Sequence, residues 1–131
     1  MIFDADIEKL SDVNKFINEY LKRVSCPNKA CMHIETSVEE IFVNIAHYAY
    51  DRKGGKVIVN VDAKPDLVTI TFIDSGLPYN PLEKPDPDIT LPVNKRKIGG
   101  LGIYMTKKLM DDITYEYKNG NNVLTMKKNI R

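Results

Sequence analysis

The chain has 131 residues, enough for one domain with a real core and too few for two ordinary ones, so a single domain spanning 1–131 is expected. Nineteen basic and 18 acidic side chains leave a formal net charge of +1, which argues against direct binding to nucleic acid or to an anionic membrane. No apolar run could span a bilayer and Met1-Ile2-Phe3-Asp4-Ala5-Asp6 is no secretory signal, so a cytoplasmic location is expected, with Cys26 and Cys31 as free thiols.

From Asp6 to Arg23 the residues Ile7, Leu10, Val13, Phe16, Ile17, Tyr20 and Leu21 recur at intervals of three and four, which predicts an amphipathic helix that Ser25-Cys26-Pro27-Asn28 ends. A second helix is expected from about Ala30 to Tyr50, with Ile34, Val38, Ile41, Phe42, Ile45 and Ala49 on its apolar face. After the turn at Asp51-Arg52-Lys53-Gly54-Gly55, the β-branched runs Val57–Val61 and Leu67–Ile73 flank Lys64-Pro65-Asp66 and read as an antiparallel hairpin whose second strand delivers Asp74. Ser75 to Ile98 carries Pro78, Pro81, Pro85, Pro87 and Pro92 and reads as a long functional loop, its part from Leu82 to Ile98 as a lid that orders over phosphate. A third helix is expected from near Gly100 through Met110, then a closing hairpin turning at Asn119-Gly120. Helix, helix, two strands, loop, helix and two strands describe an α+β two-layer sandwich, a mixed, mostly antiparallel sheet with helices on one face.

Three segments carry residues suited to a nucleotide. Glycines opening an apolar-periodic helix, as in Lys97-Ile98-Gly99-Gly100-Leu101-Gly102-Ile103, let backbone N–H groups approach a phosphate where the helix end is partly positive. Neither common glycine motif accounts for them. Gly55-Lys56 is followed by Val57, not Ser or Thr, and Met105 stands where a dinucleotide fingerprint needs glycine after Gly100 and Gly102. Lys95, Arg96 and Lys97 could neutralise phosphate charge or be an ordinary solvated basic run.

Glu40 and Asn44 stand four apart on the second predicted helix, and at helical pitch His47 falls on the same line. An Asn carbonyl oxygen suits Mg²⁺, which takes oxygen ligands and keeps several waters, and a carboxylate one turn earlier could accept a proton in phosphoryl transfer. Asp74 followed by Gly76 could present a carboxylate to the adenine amino group where the backbone is free to approach a flat ring. Each pair also has a plainer account, a solvated helix face for Glu40 and Asn44 and a strand-ending turn for Asp74 and Gly76. Neither His33 nor His47 is assigned a metal.

Taken together, Ser37-Val38-Glu39-Glu40-Ile41-Phe42-Val43-Asn44-Ile45-Ala46-His47-Tyr48-Ala49-Tyr50, Asp74-Ser75-Gly76-Leu77-Pro78-Tyr79-Asn80-Pro81 and Gly99-Gly100-Leu101-Gly102-Ile103 with Lys107-Lys108-Leu109-Met110-Asp111 resemble the boxes of the Bergerat ATPase fold. The likeness is strongest to the small anti-sigma-factor serine/threonine kinases. It implies ATP and Mg²⁺ as cofactors, with Glu40 as catalytic base and Asn44 as the metal ligand. It further implies that Asp74 and Gly76 bind adenine, that Gly99, Gly100, Leu101 and Gly102 cradle phosphate, and that Lys97 stands where relatives often carry a basic residue. The implied partners are a sigma factor and an anti-anti-sigma protein phosphorylated on serine, with a homodimer as the expected assembly. Two positions depart from the family pattern: Tyr48 replaces a His four places after the metal Asn, and Gly120-Asn121-Asn122 replaces a Gly-Thr pair. Met1 to Ser25 holds no His, so a complete sensor kinase is not expected, nor is a fragment of a larger ATPase machine. The competing expectation is a non-catalytic, ATP-dependent protein-binding module.

Overall fold

The computed structural model describes residues 1–50, 54–83 and 101–131, with only the backbone of Leu101. Within these, five strands form one sheet: β1 (Ile2–Asp4), β2 (Lys56–Ala63), β3 (Leu67–Asp74), β4 (Asp112–Lys118) and β5 (Asn121–Asn129). Their order across the sheet is β1-β2-β3-β5-β4, and every pairing is antiparallel. Strand β5 therefore lies between β3 and its hairpin partner β4, and its register sets Asp74 opposite Asn122.

Alternation builds the core. Val57 and Val59 on β2, Val68, Ile70 and Phe72 on β3, and Leu124 and Met126 on β5 all point to the buried side. Helices α1 (Leu10–Arg23) and α2 (Asn28–Asn44) cover that side with Val13, Ile17 and Leu21 from one and Ile34, Val38, Ile41 and Phe42 from the other. Each of the larger side chains contributes on the order of 2 kcal/mol by leaving water. The third helix, α3 (Leu101–Leu109), packs against α2 and buries Ile103.

The predicted elements occur, with three differences. The first helix opens as a separate 3₁₀ turn, Ile7–Lys9, because Asp6 caps it by accepting from the Glu8 N–H at 3.0 Å. Strand β1 was not expected; its three residues carry one buried side chain, Phe3, too short a pattern for periodicity to register. The long second helix changes pitch, becoming a π-helical turn over Ile45–Ala49. The turn at Asn119-Gly120 is as expected, with φ of 54° and 79°, the two positive values that a type I′ hairpin needs.

Candidate nucleotide-binding site

Asp74 ends β3 on the helix-covered side and is only 5% exposed. Its Oδ1 accepts from the Gly76 N–H at 3.0 Å and from Asn122 Nδ2 at 2.9 Å. The bonds found for Asp74 among the described residues both fall on Oδ1, and the residue borders a cleft. Burial raises the Asp74 pKa, against the opposing pull of the bonds from Asn122 and Gly76.

Asn122 is equally buried and uses its whole amide. Nδ2 also donates to the Leu77 carbonyl at 2.9 Å, while Oδ1 accepts from the Tyr79 N–H at 3.1 Å and from the Tyr115 hydroxyl. Four bonds exhaust two donors and two acceptor sites, so the side chain cannot rotate without stranding a buried group. This residue fixes which oxygen of Asp74 is engaged. Sequence reasoning treated the position only as a departure from a Gly-Thr pair.

Gly76 lies against the end of the π-helical turn. A Cβ there would stand 2.1 Å from the Ala49 carbonyl oxygen, and the next N–H, of Leu77, donates to that same oxygen at 2.7 Å. Only glycine permits this approach. Gly76→Ala should therefore force the segment after Asp74 off the π-helical turn at Ala49, lowering stability by about 2 kcal/mol in urea unfolding. Unchanged stability would mean that the close packing is dispensable.

Asp74, Leu77, Tyr115 and Asn122 border this narrow cleft, with a cavity volume of about 30 Å³, whose wall is completed by Ile41, Asn44, Ile45, Ala49, Tyr79, Pro81 and Leu124. An apolar wall with one buried carboxylate suits a flat heteroaromatic ring with an exocyclic donor. Asn44 joins this cleft to the second group of predicted residues. Its Nδ2 donates to Glu40 Oε1 at 3.3 Å, leaving the carbonyl oxygen for a cation. Glu40 in turn faces α3: a Cβ on Gly102 would lie 2.0 to 2.2 Å from its carboxyl group. The absence of that Cβ lets the first turn of α3 stand against the carboxylate.

The structure thus gathers Glu40, Asn44 and Gly102 on one side and Asp74 and Gly76 on the other. Lys95, Arg96, Lys97, Gly99 and Gly100 lie outside the described residues, as does the proposed lid beyond Glu83. His47 lies in the π-helical turn that follows Asn44 and borders a separate hollow with Asp4, Asp6, Ile7 and Gly55. Tyr48, at the position of the family's His, is half exposed, its ring 6.2 Å from that of Tyr79, which itself borders the cleft.

Comparison with known proteins gives the family and the fold. Residues 3–128 match the model of the histidine kinase-like ATPase domain. The serine-protein kinase RsbW of Bacillus cereus strain AH187 is 31% identical over 98 residues, 72% of this chain and 61% of the relative. Serine-protein kinases RsbW from Bacillus mycoides strain KBAB4 and Bacillus cereus strain B4264 are 31% and 32% identical over the same length. The match thus spans somewhat under two thirds of these relatives. Among solved structures, a nucleotide-free form of the catalytic domain of histidine kinase ThkA aligns with a TM-score of 0.50 over 99% of this chain and 98% of its own, at 16% identity, a likeness of fold. With a family match across almost its whole length and the fold to accompany it, the chain belongs to the histidine kinase-like ATPase domain family.

Proposed function

We propose that this protein binds ATP with Mg²⁺ and transfers the terminal phosphoryl group to a serine of a small anti-anti-sigma protein, holding a sigma factor in the alternate partner state. The observation that carries the reading is that the buried carboxylate of Asp74 and the amide of Asn44 line one cleft, with Asn44 in turn bonded to Glu40 four residues earlier. The relatives named serine-protein kinase support the chemistry.

The residues present fit the nucleotide. Asp74 Oδ2 accepts from the adenine amino group while Asn122 and the Gly76 N–H hold Oδ1. Asn44 offers its carbonyl oxygen to Mg²⁺, which would supply charge neutralisation at the phosphates. Lys97 and the backbone of Gly99, Gly100, Leu101 and Gly102 are assigned to the phosphates on sequence grounds. Glu40, held by Asn44 and placed against α3, accepts the proton of the attacking serine hydroxyl.

A homodimer belongs to the same proposal. On the sheet face away from the helices, Ile2, Ile58, Ile73 and Val123 lie in register across β1, β2, β3 and β5, and Ile2 is 63% exposed. A contiguous apolar row of this kind is suited to burial against a second copy.

Incubation with γ-labelled ATP, Mg²⁺ and an anti-anti-sigma protein encoded beside this one is the direct test. Label on a serine of that protein is the expected result. ATP binding without any transfer would instead establish the non-catalytic module.

A further inference from the structure

The corner between α1 and α2 has a construction that nucleotide binding does not use. Helix α1 ends in a Schellman motif: Ser25 takes the left-handed conformation at φ 50°, its N–H donates to the Lys22 carbonyl at 3.1 Å, and the Cys26 N–H donates to the Leu21 carbonyl at 3.0 Å. Pro27 then caps α2 directly, and the Cys31 N–H closes its first turn on the Pro27 carbonyl at 2.9 Å. Cys26 and Cys31 consequently occupy the positions just before the cap and four residues into the helix. Those two side chains are the pair that meets in a hydrophobic staple.

Both thiols are half-buried and pack against the core. Cys31 Sγ lies 3.5 Å from the Cys26 carbonyl oxygen. Burial first, and then the hydrogen bond between the two thiols, push the Cys26 thiol up to about 12, with Arg131 pulling the other way. Arg131 secures the same corner, donating to the Val24 and Ser25 carbonyls at 2.8 and 2.7 Å and to the Pro65 carbonyl.

We propose that Cys26 and Cys31 are a reversible dithiol–disulfide site, in which oxidation converts the non-covalent staple at the start of α2 into a covalent one. The oxidant class is a low-molecular-weight disulfide such as oxidised glutathione. The Cys31 thiolate attacks a glutathione sulfur and expels a glutathione thiolate. The Cys26 thiolate then attacks the protein sulfur of the mixed disulfide and expels the other glutathione, so two electrons and two protons pass to two glutathione thiols. The first adduct resolves internally because the second thiol stands at the facing staple position, with Cys31 Sγ 3.5 Å from the Cys26 carbonyl oxygen. A bond closing so short a loop should raise the Tm by about 5 °C.

The full chain, equilibrated with oxidised glutathione, quenched in acid and weighed, tests this. The expected product has lost two hydrogens, carries no glutathione, melts higher and returns to the starting mass with dithiothreitol. Cys26→Ser and Cys31→Ser should each hold one stable glutathione adduct. Glutathione persisting on the unsubstituted chain, disulfide-linked dimers in place of the internal bond, or no reaction at either thiol would each overturn the proposal.

Discussion

Glu40→Gln is expected to lower phosphoryl transfer by about a hundredfold or more while nucleotide affinity changes little. Gln keeps the length of the side chain and an oxygen that can still accept from Asn44 Nδ2, now 3.3 Å from Glu40 Oε1. It also keeps a group of the same size against Gly102, whose missing Cβ makes the contact possible. What it removes is basicity. Single-turnover transfer measured beside equilibrium nucleotide binding separates the two effects, and equal transfer by both proteins would eliminate Glu40 as the base.

Asp74→Asn should weaken ATP binding by about a hundredfold and reverse the preference between ATP and GTP. The substituted amide has only one comfortable orientation, because the Asn122 Nδ2 and the Gly76 N–H both donate to the atom now called Oδ1. Its oxygen must stay there, so its NH₂ takes the place of Oδ2 and confronts the amino group of adenine, donor against donor. Guanine presents a carbonyl oxygen at the equivalent ring position and would accept from that NH₂. Stability should move differently. Burial raises the Asp74 pKa, so above that pKa the native state carries an ionised group more costly than in the unfolded chain, and stability from this group declines as pH rises through it. The amide removes that cost, so the variant should melt no lower than the parent at neutral pH. A variant that unfolds more easily and binds neither nucleotide would make Asp74 a structural residue.

Much of this architecture could be read from spacing alone. The apolar faces of α1 and α2 repeat at helical intervals, β3 alternates down to Asp74, and Asn119-Gly120 is a turn dipeptide whose chemistry demands its backbone. Glu40 and Asn44 were legible for the same reason, since four residues of helix bring two side chains together whatever the surroundings. Asn122 was not. Its importance comes from strand register, which sets it opposite a carboxylate 48 residues earlier, and from the Leu77, Tyr79 and Tyr115 groups that surround it. No local pattern encodes that meeting. The change of pitch at Ile45–Ala49, where the hydrogen bonding widens around His47, has no signature in the apolar spacing. Strand β1 escaped because its pairing with β2 defines it and its own sequence hardly does.

Titration calorimetry of the full chain with ATP, in the presence and absence of Mg²⁺ and beside GTP, tests the adenine-nucleotide site most directly. Saturable binding of ATP that tightens with Mg²⁺ and clearly exceeds that of GTP is the predicted result, with Asn44 supplying the metal ligand and Asp74 the base contact. No saturable binding at millimolar ATP with Mg²⁺, or equal affinity for the two nucleotides, would contradict it.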